Sequence, residues 1–161
     1  MAAKKESETT VERTSDSELV VTRTFNAPAR LVFEAWTKLD LFKQWWVPKS
    51  IGISLVSCEA DIRTGGTYRF VFAHPAAPEP IAFFGKYIEV TPHSRIIWSN
   101  EESPKGSVTT ATFRDMGGKT EVVVRNLYPS KEALDAAIES GSTGAFHEQF
   151  AQLDVLIGTL S

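Results

Sequence analysis

The spacing of apolar residues along the chain changes from period two to a helical period and back again. Apolar and polar residues alternate from Glu18 to Phe25, as they do in a half-buried strand. Asn26 and Pro28 then mark the start of a helix, and a second short helix follows from about Asp40 to Trp46. The beginning of the chain therefore predicts one strand followed by two short helices.

Period-two alternation returns near Ile53 and predicts six further strands, separated by turn residues. Paired glycines at 65–66 and at 117–118 supply the positive φ that tight reversals need. Gly85, inside one predicted strand, indicates a bend or a close approach of another backbone. The six strands run over about 53–59, 67–72, 81–90, 95–100, 108–114 and 120–126.

Helical spacing dominates the last thirty or so residues. Ser130 is a candidate cap for a short helix over Lys131–Glu139, and a longer helix is predicted from about Thr143 to Leu160. The longer helix has one apolar face, made by Phe146, Phe150, Leu153, Leu156, Ile157 and Leu160. Short turns between successive strands imply antiparallel pairing, so the fold class is α+β, with a curved seven-stranded sheet wrapped on a long C-terminal helix.

The first seventeen residues differ from the rest in composition. They contain a single valine, no aromatic residue and many charged or small polar residues. Such a segment buries too little apolar surface to offset the entropy lost on ordering. We expect residues 1–17 to be a disordered leader and residues 18–161 to form a single domain.

Composition and charge exclude several classes of protein. The chain of 161 residues has 17 basic and 20 acidic residues without a basic block, which argues against nucleic-acid binding. One cysteine, Cys58, permits no intrachain disulfide and is compatible with a reducing compartment. No apolar run is long enough to span a membrane, and the polar start lacks the apolar core of a secretory signal. We expect a cytoplasmic protein.

No motif in the sequence supplies recognisable catalytic chemistry. Gly118-Lys119-Thr120 imitates the end of a phosphate-binding loop, but a strand follows it and the earlier glycine is missing. The histidines and Cys58 lack metal-ligand spacing, and no nucleophile elbow occurs. Cys58 is expected to be a buried, inert thiol. We predict no metal, no cofactor and no catalytic residue, which favours a non-enzymatic role.

The aromatic content is the most informative part of the composition. Ten Phe, four Trp and three Tyr need a place in one small domain. They are explained either by plain core packing or by a cavity for an apolar ligand, and the tryptophans of the N-terminal helices either form the mouth of that cavity or fasten the helices to the sheet. The candidate ligand-binding residues are Trp36, Trp45, Trp46, Tyr68, Phe70, Phe84, Trp98, Phe113, Phe146 and Phe150.

Four sequence pieces, taken together, resemble the SRPBCC (START-like, Bet v 1-like) superfamily, and within it the proteins similar to the C-terminal domain of the Hsp90 ATPase activator. The resemblance covers about residues 18–160, with Phe146 standing where the family often has Trp and Thr64 where it often has Pro. The pieces are RTFNAP followed by VFEAW (23–36), WWVP (45–48), DIRTGGTYRF (61–70) and GKYIEVTP (85–92) leading to Trp98.

The resemblance implies a helix-grip fold, in which the long C-terminal helix closes an apolar cavity over the sheet. It does not imply one activity, since this superfamily includes carriers, enzymes and co-chaperones. We expect the chain to bind an apolar or aromatic, lipid- or polyketide-like small molecule. Two alternatives stay open: a module that acts on an Hsp90-type ATPase, and a polyketide cyclase- or hydrolase-like enzyme. A homodimer is possible under each.

Overall fold

A computed structural model of the chain describes residues 9–47, 52, 54–76, 78–101, 106–139 and 145–160. These residues form one antiparallel sheet and four helices, which confirms the α+β class. The strands are β1 (Thr10–Arg13), β2 (Glu18–Phe25), β3 (Ser54–Ala60), β4 (Thr67–Ala73), β5 (Ile81–Thr91), β6 (Arg95–Ser99), β7 (Val108–Asp115) and β8 (Thr120–Leu127). The helices are α1 (Ala29–Thr37), α2 (Leu39–Trp45), α3 (Lys131–Glu139) and α4 (Ala145–Gly158).

The order of the strands across the sheet is β1-β2-β8-β7-β6-β5-β4-β3, and each neighbouring pair is antiparallel. Strands β3 to β8 form a meander of sequential neighbours. Strand β2 pairs with β8 along its whole length, from Glu18 beside Leu127 to Phe25 beside Thr120. The meander and its flanking strands therefore form a continuous concave surface for the helices, as the helix-grip prediction requires.

The described part of the sheet has eight strands, one more than the sequence predicted. The additional strand, β1, lies within the expected leader, so the expectation of a disordered leader over 1–17 is wrong for Thr10–Arg13. Its backbone pairs with β2 from Thr10 beside Thr22 to Arg13 beside Leu19, and the Arg13 guanidinium forms an ion pair of 2.7 Å with Asp135 on α3. The pairing of its main chain with β2 provides the stabilisation that the few apolar side chains of this segment could not provide. Residues 1–8 lie outside the described residues.

Helix α4 packs against α1, α2 and β2 and closes the concave side of the sheet. Phe150, Leu153 and Ile157 are almost fully buried on its inner face, as the spacing predicted. The helix ends at Gly158, two residues before the predicted end, and the predicted start at Thr143 lies outside the described residues.

Amide side chains of α4 donate hydrogen bonds to main-chain carbonyls at the C-terminal end of α2. The last carbonyls of a helix have no partner within the helix. Gln152 Nε2 donates hydrogen bonds to the carbonyl oxygens of Trp45 (3.1 Å) and Val47 (2.8 Å), and Gln149 Nε2 donates to the carbonyl of Trp46. Helix α2 is therefore held at a fixed position against α4.

Short helices begin near the predicted caps, with one difference. Ser130 Oγ accepts a hydrogen bond from the Ala133 N–H (3.1 Å), which confirms the cap of α3. At α1, however, Pro28 rather than Asn26 occupies the N-cap position, and no side chain caps the helix there.

Candidate ligand-binding cavity

A cavity of about 390 Å³ lies between the concave face of the sheet and the helices, in the size range of small-molecule sites. Its wall is formed by side chains of both layers. The aromatic lining residues are Trp36, Phe42, Trp46, Tyr68, Phe70, Phe72, Phe83, Tyr87, Trp98, Tyr128, Phe146 and Phe150. The aliphatic ones are Val47, Ile96, Val124 and Ala137, and the polar ones are Asn100, Ser107, Thr109, Asn126 and Gln149.

The alternation of side chains along the strands explains why these residues meet. Tyr68, Phe70 and Phe72 share one face of β4, and their partners across the sheet therefore face the same way. Phe83 pairs with Phe70, and Gly85 pairs with Tyr68. A ladder of rings consequently runs along one face of β4 and β5.

Seven of the ten candidate residues line the cavity: Trp36, Trp46, Tyr68, Phe70, Trp98, Phe146 and Phe150. The centre of this group is Trp36, whose ring lies 4.7–6.5 Å from five other aromatic rings. Phe146 and Phe150 of α4 approach from the opposite side, with their ring centroids 6.5 Å apart. The fold brings these seven side chains, which come from different strands and helices, to the wall of one cavity.

The other three candidates, Trp45, Phe113 and Phe84, lie away from the cavity wall. Trp45 is fully buried and donates its indole N–H to the Ala35 carbonyl (2.8 Å), so it fastens α2 to α1. Phe113 packs behind Trp36, at 5.6 Å between ring centroids, and is core.

Phe84, predicted as a ligand-binding residue, lies on the outer face of β5 instead of in the cavity wall. It is 40% exposed and lines a shallow depression on the outer face of the sheet, beside Arg69 and Lys86. Its neighbour Phe83 lines the cavity and packs against Phe72, with 5.4 Å between the ring centroids. The signal was present in the sequence, because Phe83 has the same parity as Gly85 and Tyr87.

Polar side chains at one end of the cavity were missed by the sequence analysis. Asn100, Thr109 and Asn126 lie at the adjoining ends of β6, β7 and β8, where Thr109 pairs with both Trp98 and Asn126. Asn126 continues the inward row of Val122 and Val124 on β8. The parity of β8 predicts that Asn126 lies on the concave face. The candidate ligand-binding residues, however, were all aromatic and did not include it.

These polar residues form a chain of hydrogen bonds. Asn100 Nδ2 lies 2.9 Å from the Ser107 hydroxyl and 3.2 Å from Thr109 Oγ1, and Thr109 Oγ1 lies 3.0 Å from Asn126 Oδ1. On the other side, the Tyr68 hydroxyl donates to the Ser99 carbonyl (2.7 Å). The cavity therefore has a large aromatic region and one polar end.

The described lining of the cavity contains no Asp, Glu, His, Lys or Arg. Its ionisable groups are the tyrosines, and burial raises the pKa of both Tyr87 and Tyr128 above the usual range for phenols. They are neutral hydroxyls at physiological pH. The site suits a ligand without net charge, because a charged one would lack an opposite charge to offset its desolvation.

Residues with other potential chemistry lie elsewhere. Burial raises the pKa of the Cys58 thiol, on β3, against the opposing effect of Lys43, so the thiol is not activated as a nucleophile. The φ angles of Gly117 and Gly118 are +78° and +96°, as in a hairpin turn between β7 and β8 rather than a phosphate loop. Among the described residues no cluster of three His, Cys, Asp or Glu side chains is placed to hold a metal ion.

None of the helices in the described ranges has the length and apolar character needed to cross a bilayer.

Solved structures with the same architecture place this fold among the SRPBCC, Bet v 1-like proteins. A protein from Rhodobacter sphaeroides is 25% identical, with a TM-score of 0.85 over 96% of this chain and 100% of that one. A protein from Staphylococcus epidermidis is 26% identical, with a TM-score of 0.77 over 94% and 95% of the two chains. A protein from Nitrosomonas europaea, 22% identical, has a TM-score of 0.81 over 91% and 97%.

The family model for the "Activator of Hsp90 ATPase homolog 1-like protein" matches residues 26–158. This chain belongs to that family, and the resemblance noted in the sequence is confirmed. A search of curated proteins found no match.

Proposed function

We propose that this protein binds a neutral, largely apolar or aromatic small molecule in the cavity between the sheet and α4. The observation that carries the proposal is the cavity itself. Protein interiors normally pack without voids larger than a water molecule, whereas here about 390 Å³ is left open among side chains that are mostly aromatic. An apolar space of this size, with a few polar groups at one end, has the composition of small-molecule sites.

A neutral fluorophore tests this function directly. N-phenyl-1-naphthylamine, added to the purified protein, is expected to show saturable fluorescence enhancement at one molecule per chain. Native mass spectrometry should show the matching adduct and any ligand retained from expression. The proposal is wrong if no saturable binding is seen and no adduct or retained ligand is detected.

A second candidate function is interaction with an Hsp90-type ATPase. It is supported by the description of the family to which the chain belongs. Addition of the protein to an Hsp90-type ATPase would raise its turnover if the candidate is right, and unchanged turnover would reject it.

The third candidate, a cyclase- or hydrolase-like enzyme, has less support from the cavity. General acid–base catalysis needs titratable groups placed against the substrate. In the described lining the only titratable groups are tyrosine hydroxyls, and burial raises the pKa of Tyr87 and Tyr128.

A further inference from the structure

The polar end of the cavity contains a buried hydrogen-bond donor without an acceptor. Asn126 is 6% exposed and lines the cavity, and its Nδ2 has no hydrogen-bond partner within the described part of the chain. A buried donor left unpaired carries the full cost of its lost hydration, so such groups are rare unless a ligand or an ordered water completes them.

The orientation of the Asn126 amide follows from its neighbours. The main-chain carbonyl of Ser107 can only accept a hydrogen bond, and it lies 3.3 Å from Asn100 Nδ2. This contact places the NH₂ group of Asn100 on the side of Thr109, where it also donates to the Thr109 hydroxyl (3.2 Å), while Asn100 Oδ1 lies 3.2 Å from the Tyr68 hydroxyl, a donor.

The Thr109 hydroxyl accepts a hydrogen bond from Asn100 and has one proton of its own. That proton needs an acceptor. Asn126 Oδ1, at 3.0 Å, is this acceptor. With the Asn126 amide reversed, Thr109 would face two NH₂ groups and its own proton would have no acceptor. The network therefore directs Oδ1 of Asn126 toward Thr109 and leaves Nδ2 as the free donor.

A second unpaired donor lies in the same cavity wall. Trp36 is 4% exposed, and its indole Nε1 also has no hydrogen-bond partner among the described residues. Indole nitrogen can only donate. Among the described residues of the lining, both buried side-chain groups without a partner are donors, so each of them needs an acceptor.

From these observations we infer that the ligand carries a neutral carbonyl oxygen on an aromatic or alicyclic skeleton, and that Asn126 Nδ2 donates to that oxygen. The inference rests on the proposed function and specifies its ligand class. A carboxylate is disfavoured because the described lining offers no cation, and a pure hydrocarbon would leave both donors unpaired. An aryl ketone, quinone or lactone meets both requirements.

A matched pair of probes separates this inference from the proposed function. The planar ketone 2-acetylnaphthalene and the hydrocarbon 2-isopropenylnaphthalene have nearly the same shape, and only the ketone has an acceptor. Their Kd values are measured by quenching of tryptophan fluorescence with the full chain, in the wild type and in Asn126→Val, which extends the inward valine row of β8. The ratio of the two Kd values, compared between proteins, cancels the difference in hydration of the free probes.

We expect Asn126→Val to weaken ketone binding by about 3- to 10-fold, the loss of one neutral hydrogen bond, while hydrocarbon binding changes by less than about twofold. Retained hydrocarbon binding also shows that the variant is folded. Asn126→Ser, which keeps an acceptor for Thr109 but falls short of the cavity, serves as a second variant with the same expected result.

Two results would overturn the inference, and they differ in what else they reject. If both probes bind the wild type and neither variant changes their ratio, Asn126 does not recognise the carbonyl, while apolar binding itself stands. If neither probe binds the wild type up to its solubility limit, the proposed function fails as well.

Discussion

Gly85 of β5 and the main-chain carbonyl of Ser99 are closer together than a side chain at position 85 would permit. A Cβ on Gly85 would lie 1.9 Å from the Ser99 oxygen and 3.0 Å from Cε2 of Tyr68. The same carbonyl accepts the hydrogen bond of the Tyr68 hydroxyl (2.7 Å). The absent side chain thus allows the Tyr68 ring to lie across β5 and form part of the cavity wall.

Gly85→Ala is therefore expected to reduce the free energy of unfolding by about 1–3 kcal/mol or more, because the clash is with backbone that cannot rotate away. Urea-induced unfolding measures the change. Gly158→Ala, at the end of α4, is the matched control: its new Cβ meets nothing within 4 Å, and it should be neutral or stabilising by up to about 1 kcal/mol. Equal effects of the two substitutions would refute the role of the close contact.

Gln152→Leu removes the two hydrogen bonds from α4 to the carbonyls of Trp45 and Val47. We expect a loss of about 1–3 kcal/mol in unfolding free energy, since two carbonyl groups lose their donor. Tryptophan fluorescence should change too, because Trp46 lies between those two residues. Val155→Ala, at a position of the same helix that is 72% exposed, should change neither quantity measurably. An unaltered denaturation midpoint in Gln152→Leu would show that these two hydrogen bonds do not stabilise the fold.

Binding of N-phenyl-1-naphthylamine should not depend on pH between about pH 5 and pH 9. The ionisable groups of the described lining are tyrosines, whose ordinary pKa is about 10, and burial raises that of Tyr87 and Tyr128 further. Above about pH 10 the unfolded chain releases these protons more readily than the folded one, so stability should fall as pH rises. A Kd that changes several-fold near pH 6 would instead reveal a titrating group at the site.

The docking of β1 is tested by the titration of Asp135. Its hydrogen bonds with Lys131 (2.9 Å) and Arg13 (2.7 Å) hold the pKa of this carboxyl below its ordinary value. The resulting stabilisation is present above the ordinary pKa and is lost as pH falls through the folded one. NMR titration of the carboxyl should show the lowered pKa, and Arg13→Ala should raise it. The same midpoint in the wild type and in Arg13→Ala would mean that β1 is not held there.

Much of the fold was accessible from the sequence because side-chain parity and helical spacing are local properties. The strand over about 67–72, which carries Tyr68, Phe70 and Phe72, and the inner face of α4 were both predicted from spacing alone. Strand β1 was not predicted, because its stability comes from pairing with β2 and from the contact of Arg13 with Asp135, which are distant in sequence.

The cavity was predicted less completely than the fold, for two different reasons. Phe84 was chosen as a candidate instead of Phe83, although residue type does not distinguish two phenylalanines and the parity of Gly85 and Tyr87 favours Phe83. The free donor of Asn126 could not be predicted, because it depends on how Ser107, Asn100 and Thr109 share their hydrogen bonds in three dimensions. The face of a strand on which a residue lies can be predicted from spacing. Finding a hydrogen-bonding group without a partner requires knowledge of the whole hydrogen-bond network.

The adjacent residues Phe83 and Phe84 offer the most direct test that the cavity is a binding site. They are almost equally exposed, at 41% and 40%, but only Phe83 lines the cavity. The measurement is the Kd of N-phenyl-1-naphthylamine for Phe83→Ala and for Phe84→Ala. We predict about fivefold weaker binding for Phe83→Ala, from the loss of partly buried ring contact, and wild-type binding for Phe84→Ala. Equal affinity of both variants and the wild type would contradict binding in this cavity.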